Sequence, residues 1–273
     1  MMTRSIPRTG ERLPAIGLGT WRGFDVGADA AVRRPLTGVL QALFDAGGSV
    51  VDSSPMYGRA EAVTGDLLAA EDWRPRAFLA TKVWTRGREA GIGEMRRSMA
   101  LMRSGPTIDL IQVHNLVDWR VHLETLRTWK AEGHVRYLGI THYTPSAHDE
   151  LESVMRAAVP DFVQLDYALD DRAAERRLLP LAAELGIAVL VNRPLGGGGL
   201  ARRLQGRALP DWASAIDCTT WSQILLKFVL AHPGVTCAIP GTANPRHMRD
   251  NALAASGALP DAALIKRMAE AIA

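Results

Sequence analysis

The chain has 273 residues, of which 47% are hydrophobic and 22% are charged. This length suits one large domain, and the hydrophobic fraction supports an extensive core, so the composition excludes a disordered chain. The formal net charge is only +3, and the basic residues are scattered among acidic ones rather than gathered into a stripe. The charge pattern therefore argues against a nucleic-acid partner.

The sequence also bears on location and metal binding. Cys218 and Cys237 have no metal-type spacing and no CxxC motif, so we interpret both as reduced thiols and expect no bound metal. The N-terminus lacks the apolar stretch of a signal peptide, and no segment reaches about 18 consecutive apolar residues. We therefore expect a cytoplasmic protein without a membrane partner.

Short apolar runs alternate with longer amphipathic stretches along the chain. The runs predict strands at Ala15–Gly19, Val50–Asp52, Phe78–Lys82, Leu110–Val113, Tyr137–Ile140, Phe162–Leu165, Ala188–Val191 and Thr236–Ile239. The amphipathic stretches predict helices at Pro35–Ala46, Glu61–Ala70, Gly93–Met102, Leu123–Glu132, Ala147–Arg156, Ala174–Glu184, Ser222–Ala231 and Arg246–Ala255. Most strand runs are continuously apolar, as in parallel strands covered on both faces. Eight alternating pairs predict an α/β fold, a (β/α)8 TIM barrel, with residues 1–273 as a single domain.

Two segments fall outside this repeat. Residues Thr3–Leu13 precede the first barrel strand, and we predict an N-terminal β-hairpin that closes the barrel bottom. Residues Gly196–Ala215 form a long loop after strand 7 that begins with four glycines. Because long barrel loops are usually functional, a flexible lid is one interpretation of this loop. A mobile surface loop is the other.

Four polar residues are predicted to meet at one end of the barrel. Asp52, Lys82 and His114 stand at the carboxyl ends of successive strands, and Tyr57 follows Asp52 in the loop SSPMYG. Those strand ends share the face that carries the chemistry in βα barrels. An ammonium about 4 Å from a phenol favours the phenolate by roughly 3 pKa units before desolvation opposes it. Asp52 would hold Lys82 in place, and His114 would orient a substrate oxygen.

Seven motifs in this order resemble the aldo-keto reductase family over nearly the whole chain. They are GLGTW (17–21), VDSSPMYGRAE (51–61), TKVW (81–84), DLIQVHN (109–115), GITHYTP (139–145), FVQLDY (162–167) and IPGTANPRHMRDN (239–251). The resemblance implies reversible, NAD(P)H-dependent reduction of an aldehyde or ketone to an alcohol. Tyr57 would be the proton donor and acceptor, assisted by Lys82 and Asp52, with His114 positioning the carbonyl.

The resemblance also implies a cofactor site across the barrel mouth. The residues it assigns are Gly19, Thr20, Trp21 and Asp52 at the nicotinamide, Thr141, His142 and Gln164 at the carboxamide, Asn192, Pro194 and Leu195 after strand 7, Pro240, Gly241, Thr242, Asn244 and His247 in the phosphate-binding loop, and Asp250 and Asn251 at the adenine. The start of the helix after strand 8 suits a phosphate.

The sequence departs from the family pattern at three places. His142 replaces a common Asn, and the segment from Asn192 to Leu195 offers no aromatic residue to stack on the nicotinamide. The cations that grip the NADP 2′-phosphate in many members fall at Gly241 and His247 here, although Arg246 and Arg249 lie close by. NADP is the expected cofactor, with NAD or dual use left open.

Aromatic residues near the strand ends are candidates for the substrate pocket, although core or rim packing competes for each of them. They are Trp21, Trp84, Trp119 and Tyr143. The remaining histidines away from the predicted mouth, His122, His134, His148 and His232, are interpreted as surface or capping residues. The expected partner is a small carbonyl or alcohol, and the physiological substrate and oligomeric state stay open.

Two alternative functions remain at this stage. One is an NAD-linked dehydrogenase that oxidises a sugar or another alcohol with the same residues. The other is a cofactor-binding subunit that senses redox state or scaffolds a partner without significant turnover. The complete set of Asp52, Tyr57, Lys82 and His114 argues against the second alternative.

Overall fold

The computed structural model describes residues 1–272, which form a parallel β-barrel surrounded by helices. Eight strands, β3 to β10, pair in chain order. Parallel bridges join Ile16 to Ala238 and Gly19 to Gly241, so the first and last strands meet and the barrel closes. The strands are β1 Thr3–Ser5, β2 Arg12–Pro14, β3 Leu18–Gly19, β4 Val50–Asp52, β5 Phe78–Val83, β6 Ile108–His114, β7 Val135–Thr141, β8 Phe162–Asp166, β9 Ala188–Asn192 and β10 Cys237–Ala238. The predicted (β/α)8 barrel is confirmed.

Helices connect successive barrel strands. They are α1 Ala30–Asp45, α2 Ala60–Ala70, α3 Arg88–Leu101, α4 Trp119–Ala131, α5 His148–Ala158, α6 Leu178–Leu185, α7 Gly199–Arg203, α8 Trp221–Ala231, α9 Pro245–Leu253 and α10 Ala262–Ile272. Several begin earlier than hydrophobic periodicity predicts. Helix α1 begins five residues before Pro35 because the Asp29 side chain accepts the Ala31 amide at 2.9 Å and caps the helix. The predicted helix from Ala174 to Glu184 is interrupted at Arg177, whose φ of −141° is not helical.

The N-terminal hairpin of β1 and β2 closes the barrel bottom, as predicted. Ile6 and Leu13 are buried in the same cluster as the barrel-lining Phe78, Tyr137 and Phe162. The Tyr137 hydroxyl reaches down to the hairpin and donates to the Glu11 carboxylate at 2.5 Å. Apolar packing and this hydrogen bond together seal the end of the barrel opposite the carboxyl ends of the strands.

The loop after β9 is more regular than the sequence suggests. It contains short 3-10 helices at Gly196–Gly198 and Asp211–Ile216, with α7 between them. Leu200 and Leu204 are buried, and Trp221 donates from its indole nitrogen to the Arg207 carbonyl at 3.0 Å. The loop from α7 onwards therefore packs against the hydrophobic core. The glycines at its start have positive φ angles, from 60° to 83° over 196–198.

Three alternate strand junctions at the barrel bottom are capped by a side chain. Asp109 accepts the Leu79 amide at 2.8 Å, Asp161 accepts the Leu138 amide at 3.0 Å, and Thr236 accepts the Val189 amide at 2.9 Å. Each capping residue lies one position before the first residue of its strand that pairs with the preceding strand. These side chains satisfy buried amides where the ladders begin, which stabilises the register.

Two further properties concern the chain as a whole. Within residues 1–272, no helix is both long enough and apolar enough to cross a membrane. Cys218 and Cys237 are buried free thiols. Burial raises the pKa of the Cys218 thiol to about 11, so this group stays protonated at neutral pH.

The strand-junction caps predict a measurable loss of stability on Thr236→Val. Valine preserves the shape of threonine but removes the hydroxyl, so the buried Val189 amide loses its partner. We expect the free energy of unfolding in urea to fall by about 1–3 kcal/mol. Thr236→Ser, which keeps the hydroxyl, is the matched control and should lose less. Equal stability of the valine variant and the wild type would show that the cap contributes nothing.

Candidate active site

The four predicted catalytic residues converge at the carboxyl edge of the barrel. Asp52 and His114 are the last residues of β4 and β6, and Lys82 is the fifth residue of β5. Asp52, Lys82 and His114 are at most 5% exposed. Tyr57 lies half-buried in the turn after β4, next to Lys82 and His114.

Lys82 forms the central ion pair of the site. Its Nζ lies 2.6 Å from Oδ2 of Asp52 and also donates to the Ser53 carbonyl at 2.7 Å. Burial disfavours the ammonium, but the Asp52 carboxylate that it contacts favours it, so the pKa of Lys82 lies above its ordinary value. The lysine therefore remains a cation although it has no exposed surface.

The second carboxylate oxygen of Asp52 is held by two amides. Gln112 and Gln164 donate from Nε2 to Oδ1 of Asp52 at 3.1 and 2.9 Å. Gln112 has room because Gly139 stands opposite it, where a Cβ would lie only 2.9 Å from Gln112 Cγ. Gln112 was not predicted as a site residue. The available signal was a polar residue inside an apolar strand, two positions before His114 and hence on the same face.

Tyr57 is fixed by a tight turn. Its amide donates to the Ser54 carbonyl at 3.0 Å. The next residue, Gly58, has φ +60° and packs so closely on Asp25 that a Cβ would lie 2.4 Å from that carboxylate. Only glycine combines this backbone conformation with this close approach.

The pKa of Tyr57 is raised, although the Lys82 charge alone would lower it. Lys82 Nζ lies 5.2 Å from the centre of the Tyr57 ring. Burial raises the pKa, the Lys82 charge lowers it and the Asp52 charge raises it, and the pKa lies above its usual value. The effect of burial is larger because the Asp52 charge offsets that of Lys82, so Tyr57 is held as a neutral phenol.

His114 is held as a neutral imidazole. Its Nδ1 lies 3.0 Å from Oγ of Ser54, and its ring centre is 6.1 Å from that of Tyr57 and 6.2 Å from that of Trp84. Burial, the Lys82 charge and the nearby His142 lower the pKa of His114 to about 3. The histidine is therefore uncharged throughout the neutral range and can donate one hydrogen bond.

Three of the four aromatic pocket candidates are exposed. Trp21 is 53% exposed, Trp84 43% and Tyr143 47%. Trp21 lies 6.5 Å from the Tyr57 ring, so both tryptophans neighbour the candidate catalytic groups. Trp119 differs, since it begins α4 and packs partly buried against the hydrophobic core. The packing of Trp119 favours a structural role over a pocket role.

The predicted nicotinamide and carboxamide residues line the same edge. Thr20 donates to the Ser53 hydroxyl at 2.9 Å, and Thr141 donates to Oε1 of Gln164 at 3.4 Å. Gln164 thus joins Thr141 to Asp52. Gly19 faces Gly241 across the closure of the barrel, and its amide donates to the Pro240 carbonyl at 3.2 Å. A Cβ on Gly19 would lie 2.9 Å from the Ile239 carbonyl oxygen.

His142 and Asn192, two positions where the sequence departs from the family pattern, contact each other. Asn192 donates from Nδ2 to the His142 carbonyl at 3.4 Å, while its Oδ1 is buried without a partner among residues 1–272. Nδ1 of His142 accepts the Tyr143 amide at 3.0 Å. Pro194 and Leu195 follow in the turn that leads to the 3-10 helix at Gly196–Gly198.

The predicted phosphate and adenine residues lie at the start of α9 and along it. Asn244 caps α9 by accepting the Arg246 amide at 2.9 Å, and Thr242 in turn accepts the Asn244 amide at 3.0 Å. Arg246, His247 and Arg249 are exposed. The Asp250 carboxylate faces α8, where it accepts from Thr220 at 2.8 Å and from Gln223 at 2.7 Å, and Asn251 is buried.

Two histidines do not match their prediction as surface or capping residues. His122 is fully buried and lies 2.7 Å from the Thr85 carbonyl through Nε2. His148 is buried against Asp166, with Nε2 3.3 Å from Oδ1. The sequence misleads here because both lie on helices whose inner faces pack on the barrel. In the part of the chain that the structure describes, no group of three or more His, Cys, Asp or Glu residues is arranged to hold a metal ion.

Comparisons with known proteins agree with this geometry. The model of the aldo/keto reductase family matches residues 15–272. Methylglyoxal reductase YeaE of Escherichia coli (strain K12) is 29% identical over 248 residues, which cover 88% of this chain and 84% of that protein. Two aldo/keto reductase structures from Klebsiella pneumoniae, one with NADP and acetate and one with NADPH, are each 26% identical. Each covers 100% of this chain and 96% of its own, with TM-scores of 0.84 and 0.83.

The low pKa of His114 predicts an acid-dependent loss of stability. In the folded chain this pKa is about 3, below the value of 6.5 expected when the chain is unfolded. The unfolded state therefore binds the proton first, and stability falls as the pH drops from 6.5 towards 3. Between pH 7.5 and 5.0 this group should cost about 2 kcal/mol.

The measurement is the free energy of unfolding in urea at both pH values for the wild type and His114→Gln. The variant should lose less stability on acidification by about that amount. His134→Gln, which removes an exposed histidine, is the matched control. An identical pH dependence of the wild type and His114→Gln would contradict the neutral, buried state of this imidazole.

Proposed function

Because the chain belongs to the aldo/keto reductase family of oxidoreductases, we propose that it reversibly reduces an aldehyde or ketone to an alcohol with NADPH. The observation that carries the proposal is the buried pair of Lys82 and Asp52, 2.6 Å apart, beneath the Tyr57 ring. A structural ion pair alone does not require a phenol and a neutral imidazole at the same barrel edge. Their convergence supports carbonyl chemistry.

Each group has a distinct part in the reaction. The bound cofactor supplies the hydride that the carbonyl carbon receives. Tyr57 donates its hydroxyl proton to the carbonyl oxygen, and the Lys82 ammonium stabilises the phenolate that remains. Asp52 keeps the ammonium in place, and His114 donates a hydrogen bond to the same substrate oxygen. This oxygen then lies between two donors, which fixes its orientation.

The protonation states favour reduction at neutral pH. Tyr57 holds its proton because burial raises its pKa, and reduction consumes that proton. Alcohol oxidation needs the phenolate instead, so its rate should rise as the pH rises towards the pKa of Tyr57. The dehydrogenase alternative therefore uses the same site under less favourable conditions.

The choice of NADPH rests on the relatives and on α9. The Klebsiella pneumoniae structures carry NADP or NADPH. Here the exposed Arg246 and Arg249 follow the capped start of α9 and provide cations for a 2′-phosphate. The barrel edge also suits the nicotinamide end of the cofactor, since Thr141 and Gln164 place polar atoms there. Asn192, whose buried oxygen has no hydrogen-bond partner among the described residues, offers a further acceptor in place of an aromatic ring.

The decisive substitution is Tyr57→Phe. Removing the hydroxyl removes the proton donor, so turnover should fall by about two to four orders of magnitude. Binding of NADPH, followed by tryptophan fluorescence, should persist. Activity is measured as NADPH oxidation with a panel of aldehydes and ketones that includes methylglyoxal, since the E. coli relative is a methylglyoxal reductase.

Tyr137→Phe is the matched control because it removes the same group at the opposite end of the barrel. Its turnover should stay close to that of the wild type. Near-wild-type turnover in Tyr57→Phe would refute the mechanism. Tight NADPH binding without turnover by the wild type over the whole panel would favour a cofactor-binding subunit.

The double substitution of Arg246 and Arg249 by Ala tests the cofactor. If these cations bind the 2′-phosphate, the variant should lose about tenfold or more in NADPH affinity while NADH affinity stays unchanged. Both dissociation constants come from fluorescence titrations. Arg267→Ala on α10, another exposed arginine, is the control. An equal effect on both cofactors would contradict the assignment.

A further inference from the structure

Ser54 is a buried residue that connects two of the catalytic candidates. It follows β4 by two residues and has no exposed surface. Its carbonyl accepts the Tyr57 amide at 3.0 Å, which closes the turn that carries the phenol. Its hydroxyl oxygen lies 3.0 Å from Nδ1 of His114. The side chain is thus placed to act on the imidazole.

The surroundings of the Ser54 hydroxyl indicate which group donates. A serine hydroxyl has one proton to give and two lone pairs. The Met56 amide donates to this oxygen at 3.4 Å and occupies one lone pair. Within residues 1–272, Nδ1 of His114 is the only acceptor at hydrogen-bond distance from this hydroxyl. Among the described residues, Nδ1 of His114 is therefore the acceptor for the Ser54 hydroxyl proton.

The protonation of His114 follows from this hydrogen bond. Burial, the Lys82 charge and His142 keep the imidazole neutral, with a pKa of about 3, so the ring carries a single proton. If Nδ1 accepts from Ser54, that proton must be on Nε2. Within the described chain Nε2 has no hydrogen-bond partner, and it is not among the buried unsatisfied atoms. The Nε2 proton is thus available to a substrate oxygen.

We propose that Ser54 is a positioning residue that donates its hydroxyl proton to Nδ1 of His114 and so selects the tautomer that presents an N–H to the substrate carbonyl. The role in turnover rests on the carbonyl reduction proposed above. The choice of tautomer does not, because it depends only on contacts within the chain. With the opposite tautomer, Nε2 would face the carbonyl oxygen with a lone pair and repel it.

The direct test is ¹⁵N NMR of the wild type with labelled histidine. The chain has seven histidines, and the signals of His114 are identified by their loss in His114→Gln. We expect the Nε2–H tautomer from pH 5 to pH 8. A ring protonated at Nδ1 in the wild type would overturn the proposal, whatever the activity of the chain.

Ser54→Ala tests the consequence for turnover. We expect a mixture of tautomers and a fall of about tenfold in kcat/KM for the carbonyl, the size of one net hydrogen bond, with NADPH affinity unchanged. Ser53→Ala is the matched control, since Ser53 is equally buried but bonds to Thr20. It should keep the Nε2–H tautomer.

The outcomes separate this proposal from the proposed function. An unchanged tautomer and an unchanged kcat/KM in a folded Ser54→Ala would refute the role of Ser54 while leaving carbonyl reduction intact. A wild type that reduces no carbonyl would refute the function, and the tautomer spectrum would still decide the contact between Ser54 and His114. If Ser54→Ala does not fold, the wild-type spectrum alone supports or overturns the proposal.

Discussion

Lys82 places a positive charge at the carboxyl edge of the barrel with no exposed surface at all. Removing an ammonium from water costs several kcal/mol, and only a well-placed partner offsets this cost. The Asp52 carboxylate provides that partner at 2.6 Å, and the Ser53 carbonyl accepts a second hydrogen bond. The other oxygen of the Asp52 carboxylate also needs hydrogen-bond donors, and two neutral side-chain amides provide them without adding charge.

The barrel brings these groups together through strand register. Lys82 pairs with Gln112 across β5 and β6, and Gln112 pairs with Gly139 across β6 and β7. Inward-facing side chains of such a barrel are stacked in layers, so the polar side chains lie above apolar ones. The lower layer contains Phe78 and Tyr137. The apolar floor keeps the ion pair dry, which strengthens its effect on neighbouring groups.

Much of this arrangement could be predicted from the sequence, and the exceptions have physical causes. Continuous apolar runs predict parallel strands, so the barrel and the places of Asp52, Lys82 and His114 follow. The direction of the Tyr57 pKa shift did not follow, because it depends on how far burial outweighs a compensated lysine. Ser54 was also not predicted as a site residue, since a serine in a turn usually serves the local backbone.

Burial has the largest influence on protonation at this edge, and the Lys82 charge adds to it or opposes it. The Lys82 charge disfavours a proton on His114 and partly offsets the effect of burial on Tyr57. Had a second cation replaced Gln112 or Gln164, the phenol would be driven towards the phenolate and the site would lose its donor. Uncharged amides avoid this, because they satisfy Asp52 and add no charge. Burial therefore keeps both groups uncharged, and the Lys82 charge reinforces this at His114 and opposes it at Tyr57.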